Sequence, residues 1–98
     1  MTEVLVVSEV EQPAGWLFEI QWTGPREDDA GHTSMSLAWA DYNHWSASGT
    51  DEPSSVAAAV VRFWLDQRTN IAIPKRFDAA IVRRRFPNAD DIIPMMIG

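Results

Sequence analysis

His32, Asp41 and His44 form the one imidazole–carboxylate set in this chain that acid–base or metal chemistry could draw on. Asp41 and His44 stand three apart, near enough to touch on a single helical turn, while His32 belongs to an earlier stretch. A zinc site asks for three or four converging ligands, and two histidines four apart with a glutamate beside them are absent here. The set reads as polar residues held in water. Ser34, Ser36, Ser46, Ser48, Ser54 and Ser55 fall in no nucleophile-elbow pattern. The five glycines, at 15, 24, 31, 49 and 98, are too scattered for a phosphate loop or a dinucleotide fingerprint. Glu27, Asp28 and Asp29 lack the alternating spacing of a calcium loop and read as a solvated turn. The expectation is a chain with no catalytic residue, no metal site and no cofactor.

Lys75, Arg76, Arg83, Arg84 and Arg85 put five bases within eleven residues, a density that could neutralise phosphates. Geometry weakens that reading. Three consecutive helical residues point about 100° apart and encircle the helix instead of lining a face. They also fall in its last turn, where cations suit the negative end of the dipole. These five residues are the candidate nucleic-acid contacts, and the overall charge of −6 opposes them.

The charge is unevenly divided. Residues 1–52 hold ten acids and one base, a balance of −9, whereas residues 53–98 hold four acids and seven bases, a balance of +3. Two halves of opposite sign attract each other, within one chain or across a dimer. With 98 residues, 46% hydrophobic content and five tryptophans, residues 1–98 are expected to form a single domain around a real core. The absence of cysteine excludes disulfides and thiolate chemistry and points to a cytoplasmic home. The opening segment MTEVLVVSEV is acidic and its apolar run short, unlike a signal peptide, and no stretch approaches the ~20 apolar residues of a membrane span.

Positioning falls to a few elements. Residues 53–68 (PSSVAAAVVRFWLDQR) read as the one long helix, with Thr50 or Asp51 as cap and Pro53 at the first helical position. Val56, Ala59, Val60, Phe63 and Gln67 share a face, and Val61 and Leu65 project elsewhere, so the helix wants cover on two sides. Ser55, Ala58, Arg62 and Asp66 form the wedge left for water. Before it, residues 3–11, 16–22 and 32–37 read as strands joined by short turns. Trp16, Phe18, Ile20 and Trp22 alternate onto one side, as do Met35 and Leu37. Residues 24–31 make an exposed acidic loop. Trp39, Tyr42 and Trp45, spaced by three, suggest a turn or two of helix. Further on, Asp78 caps a short helix that Phe77 and Val82 staple and Pro87 ends. The segment DDIIPMMIG is apolar, and Pro94 favours an edge strand or an extended arm there.

The run from Phe63 to Pro87 (FWLDQRTNIAIPKRFDAAIVRRRFP) resembles the C-terminal part of small uncharacterised bacterial proteins. In these a strand hairpin and a helix precede a Pro-x-x-Phe-Asp lead-in to a short helix closed by Phe-Pro. The resemblance covers about a quarter of the chain and implies no activity.

The fold expected is α+β: a three-stranded antiparallel meander packed by one long helix, with a short C-terminal helix. The function expected is a non-enzymatic protein-interaction or self-assembly domain, acting as a homodimer or on another protein. A nucleic-acid-associated regulator is the alternative and an enzyme the third reading. The candidate partner interface is Trp39, Tyr42, Trp45, Ile92, Ile93, Met95 and Met96, since apolar surface of that extent is a hazard in water; the alternative is that the aromatics cover one end of the chain's own core and the tail seals the long helix.

Overall fold

Alternation shapes the first half of the chain. In the computed structural model, which describes residues 2–24, 29–67 and 72–97, β1 (Glu3–Gln12), β2 (Gly15–Thr23) and β3 (Ala30–Ala38) run as an antiparallel meander. Trp16, Phe18 and Ile20 of β2 are buried, and opposite them on the same face lie Leu37, Met35 and Thr33 of β3. Thr33 is tolerated in that core because its hydroxyl donates to the Pro74 carbonyl at 2.7 Å. The first hairpin turns at Pro13 and Ala14. Gly15 follows because a Cβ there would stand 1.9 Å from the Leu37 carbonyl oxygen.

One irregularity matters later. Val4 and Val6 of β1 face Trp22 and Ile20, but the register slips between Val6 and Ser8, so Glu9 and Glu11 face Phe18 and Trp16. Inward positions on β1 are therefore even-numbered before the bulge and odd-numbered after it.

The helices stack on the inner face. α1 (Trp39–Trp45) leads, after a short linker, into α2 (Pro53–Asp66), which packs on β1 and β2 with one side. Val56, Ala57, Ala59, Val60, Val61, Phe63 and Trp64 are all buried, so the expected two-sided cover is present. Its start departs from expectation. The N-cap is Glu52, without a side-chain hydrogen bond; Asp51 instead accepts from the Ser46 hydroxyl at 2.7 Å, and its carbonyl accepts from Tyr42. Ala58 is buried and Arg62 half-buried, so the wedge assigned to water is narrower than the sequence implied. Arg68, the expected last residue of this helix, lies outside the described residues, as do Glu27 and Asp28 of the acidic loop.

Two further expectations are corrected. The sheet has four strands and is mixed: β4 (Arg76–Asp78) pairs parallel to β3, giving the order β1-β2-β3-β4. Phe77 needs burial beside Met35 while Arg76 and Asp78 face out, and a chain returning over two helices arrives parallel. Asp78 ends a strand and, as expected, still caps the helix: Ala79, just ahead of α3 (Ala80–Arg85), is already helical in backbone, and the Asp78 carboxylate accepts the Ala80 N–H at 2.9 Å. The segment expected to be an extended arm is α4 (Ala89–Met96), which covers the second side of α2. Pro94 forgoes one intrahelical hydrogen bond near the end of α4, and burial of Ile93 offsets that loss.

Aromatic rings close the two ends of the core. Trp64 and Phe86 lie edge-on at 5.4 Å with Phe63 and Phe77 beside them, and Trp16 contacts Trp39 at 4.3 Å and Tyr42 at 5.2 Å.

Candidate functional site

His32 stands apart on the sheet, while Asp41 and His44 reach one cluster through Arg83 and Asp90. His32 Nε2 stands 3.0 Å from Glu19 Oε2 on the outer face of the sheet, where the Ser34 hydroxyl also donates to that carboxylate at 2.7 and 2.8 Å. Asp41 is buried and pairs with Arg83 Nη1 at 3.2 Å; His44 Nε2 stands 3.3 Å from Asp90 Oδ2. Among the described residues no three histidine or acidic side chains gather as a metal site.

Asp90 joins three helices instead. It accepts from Trp45 Nε1 at 3.0 Å and from Arg83 Nε at 2.9 Å, linking α4 to α1 and α3. Partial burial pushes its carboxyl up, but the Trp45 and Arg83 hydrogen bonds and the Arg83 and His44 charges outweigh burial and hold it below the usual carboxylate value. The Arg83 guanidinium is held above its usual value, by its hydrogen bond to Asp90 above all, against the opposing effect of burial. One of the five candidate nucleic-acid contacts is thus committed to two carboxylates. Lys75 and Arg76 lie exposed at β4, and Arg84 and Arg85 lie exposed in the last turn of α3. Arg76 shares its groove with Glu19 and Asp78, which temper its charge.

The expected partner interface divides. Tyr42, Trp45 and Ile93 are core residues of this chain and unavailable to a partner. Ile92 and Met96 are half-buried against that core, while Trp39 and Met95 remain exposed, in different elements. The excess of aromatic and tail surface that prompted the interface is absorbed by α1 and α4 packing inward.

Apolar surface is concentrated elsewhere. Leu5, Val7 and Val10 of β1 are 61%, 53% and 53% exposed. Leu5 and Val10 oppose Gln21 and Leu17, so they lie on the outer face, which α2 leaves open. β1 is also an end strand, with backbone groups of one edge unmatched within the sheet. The alternation in EVLVVSEVE carried this signal, since its early residues are apolar on both faces.

At the Glu3 end of β1, a cleft of about 690 Å³ runs across β1, β2 and β3 and is lined by Glu3, Val4, Leu5, Trp22, His32 and, from α2, Arg62 among others. Arg62 is half-buried and makes no ion pair among the described residues. Trp22 lies across Gly31, where a Cβ would come within 2.3 Å of the indole, and its buried Nε1 has no acceptor among the described residues. Glu9 and Glu11, on the same side of the sheet, are exposed and equally without an ion pair among the described residues.

No helix among the described residues is long and apolar enough to cross a membrane. No protein-family model, no curated protein and no solved structure matches the chain.

Proposed function

We propose that this chain is a non-enzymatic protein-interaction domain that binds along β1, taking a partner's strand on its free edge and aliphatic side chains over Leu5, Val7 and Val10. The carrying observation is that row of three aliphatic residues, each more than half exposed, on the end strand of a sheet whose helices cover the other face. Main-chain pairing supplies affinity in such strand addition, and alternate side chains supply selectivity. Water-exposed aliphatic side chains on a long edge strand are otherwise an aggregation hazard. The bulge and the glutamates at 3, 9 and 11 restrict which strands can dock.

Selection of random peptides on the intact protein tests this reading. Peptides retained by the parent chain and lost on a Leu5→Lys/Val10→Lys double variant should alternate aliphatic residues and slow amide exchange in β1. Peptides that bind both chains equally, or protect amides away from β1, would place the binding surface elsewhere.

A further inference from the structure

We infer that the strand docking on β1 is the β1 of a second copy, antiparallel about a two-fold axis, with Leu5 against the partner's Val10 and Val4 against the partner's Glu11. This rests on the reading of β1 as the binding strand and adds the identity and register of its occupant.

The bulge selects the register. Cross-strand neighbours point to the same face of a sheet. Inward positions on β1 are Val4, Val6, Glu9 and Glu11; outward ones include Glu3, Leu5, Ser8, Val10 and Gln12. In the stated register Val4 meets the partner's Glu11, Val6 meets the partner's Glu9, Leu5 meets the partner's Val10 and Glu3 meets the partner's Gln12. Inward side chains then meet inward ones, outward meet outward, and the two bulges coincide at the axis. A slip of one residue sets Glu3 against the partner's Glu11 and turns inward side chains against outward ones, at a cost in both charge and burial. The aliphatic rows of two copies become continuous on the open face only when the faces match.

Charge points to the same partner. Arg62 lines a cleft with Glu3, Val4 and Leu5 of β1 and makes no ion pair among the described residues. The other half of β1 presents Glu9 and Glu11 inward, with no base near enough for an ion pair among the described residues. Antiparallel pairing brings each glutamate-bearing half beside the other copy's Arg62, twice by symmetry. The partner's Glu11, set beside Val4, enters the cleft that Arg62 lines and supplies the missing carboxylate. A single copy cannot make this contact, because its own Glu11 lies at the far end of the strand.

The chain lacks cysteine, so introduced thiols report cleanly. Leu5→Cys and Val10→Cys proteins are prepared separately, confirmed as folded by circular dichroism, and oxidised alone or mixed. Disulfide-linked dimer should form in the mixture and not in either protein alone. Sedimentation equilibrium should show a dimer that Arg62→Glu weakens about tenfold or more, as loss of a desolvated charge pair does. Adding Glu11→Arg to that variant should restore it. Cross-linking by either protein alone, or no restoration by Glu11→Arg, overturns the register. A monomer at tens of micromolar overturns the second copy; if that monomer still selects β1-dependent peptides, the binding strand stands, and if it does not, both readings fall.

Discussion

Phe77 stands where the sheet, α2 and α3 meet. It pairs with Met35 in β4, its ring lies 5.3 Å from that of Trp64, and it is 6% exposed. Phe77→Ala should therefore cost roughly 3–5 kcal/mol in urea unfolding, the range for buried aromatic truncations. A loss under about 1 kcal/mol would mean that the ring contributes no core packing. The sequence put Phe77 inside for a partly different reason, as a staple for Val82. Both residues are indeed buried, yet Phe77 is held by a strand. Single residues were legible wherever alternation ran long. Trp16, Phe18, Ile20, Met35 and Leu37 are inward as the period of two required. Whether Trp45 and Ile93 were core or interface stayed open in the sequence, because their cover comes from elements distant in the chain, which no local pattern displays.

At the scale of elements, long and periodic pieces were visible and short ones were not. Three strands and α2 follow from their periods, whereas Arg76–Asp78 holds three residues, too few to show a period of two. α4 was hidden by Pro94, a helix-breaking signal that tertiary packing overrode. What fastens α4 to α1 and α3 is Asp90, so the helical layer should carry a pH dependence. A carboxyl whose folded pKa is depressed contributes stability that is fully present above its unfolded value, about 3.9, and is lost as pH falls through the lower folded value. Asp90→Asn keeps an acceptor for Trp45 but removes the charge. The stability gap between parent and Asp90→Asn should be constant near neutrality and close below about pH 4. Asp90→Ala should cost more, on the order of 1–3 kcal/mol, because the Trp45 Nε1 donor is left unpaired in a side chain only 1% exposed. A gap that persists unchanged to acid pH would mean that the charge of Asp90 stabilises nothing.

For the whole molecule, the opposite signs of the two halves have a partial internal outlet. Arg83 of the basic half pairs with Asp41 of the acidic half at 3.2 Å, while Arg62, Glu9 and Glu11 stay uncompensated among the described residues. Charge asymmetry announced an attraction without saying which residues would satisfy it inside the chain. The apolar C-terminal segment makes a similar point, since its composition fits a partner contact and an internal one equally well. Its role is decided by what α2 lacks: a helix apolar on two sides, with the sheet on one, needs cover on the other, and α4 supplies it with Ile93 fully buried. A chain stopped after Asp91 would lose Ile92, Ile93, Met96 and Ile97 from the core edge and uncover the side of α2 on which α4 packs. Removing one buried isoleucine side chain already costs about 2–5 kcal/mol, and marginal domains hold about 5–15 kcal/mol in all. The truncated chain should therefore unfold at much lower urea or expose a dye-binding apolar surface, whatever its state of association. If it keeps the parent's unfolding midpoint and loses self-association instead, α4 serves an interface and not the core, and the assignment of the partner strand to β1 would have to give way to the tail.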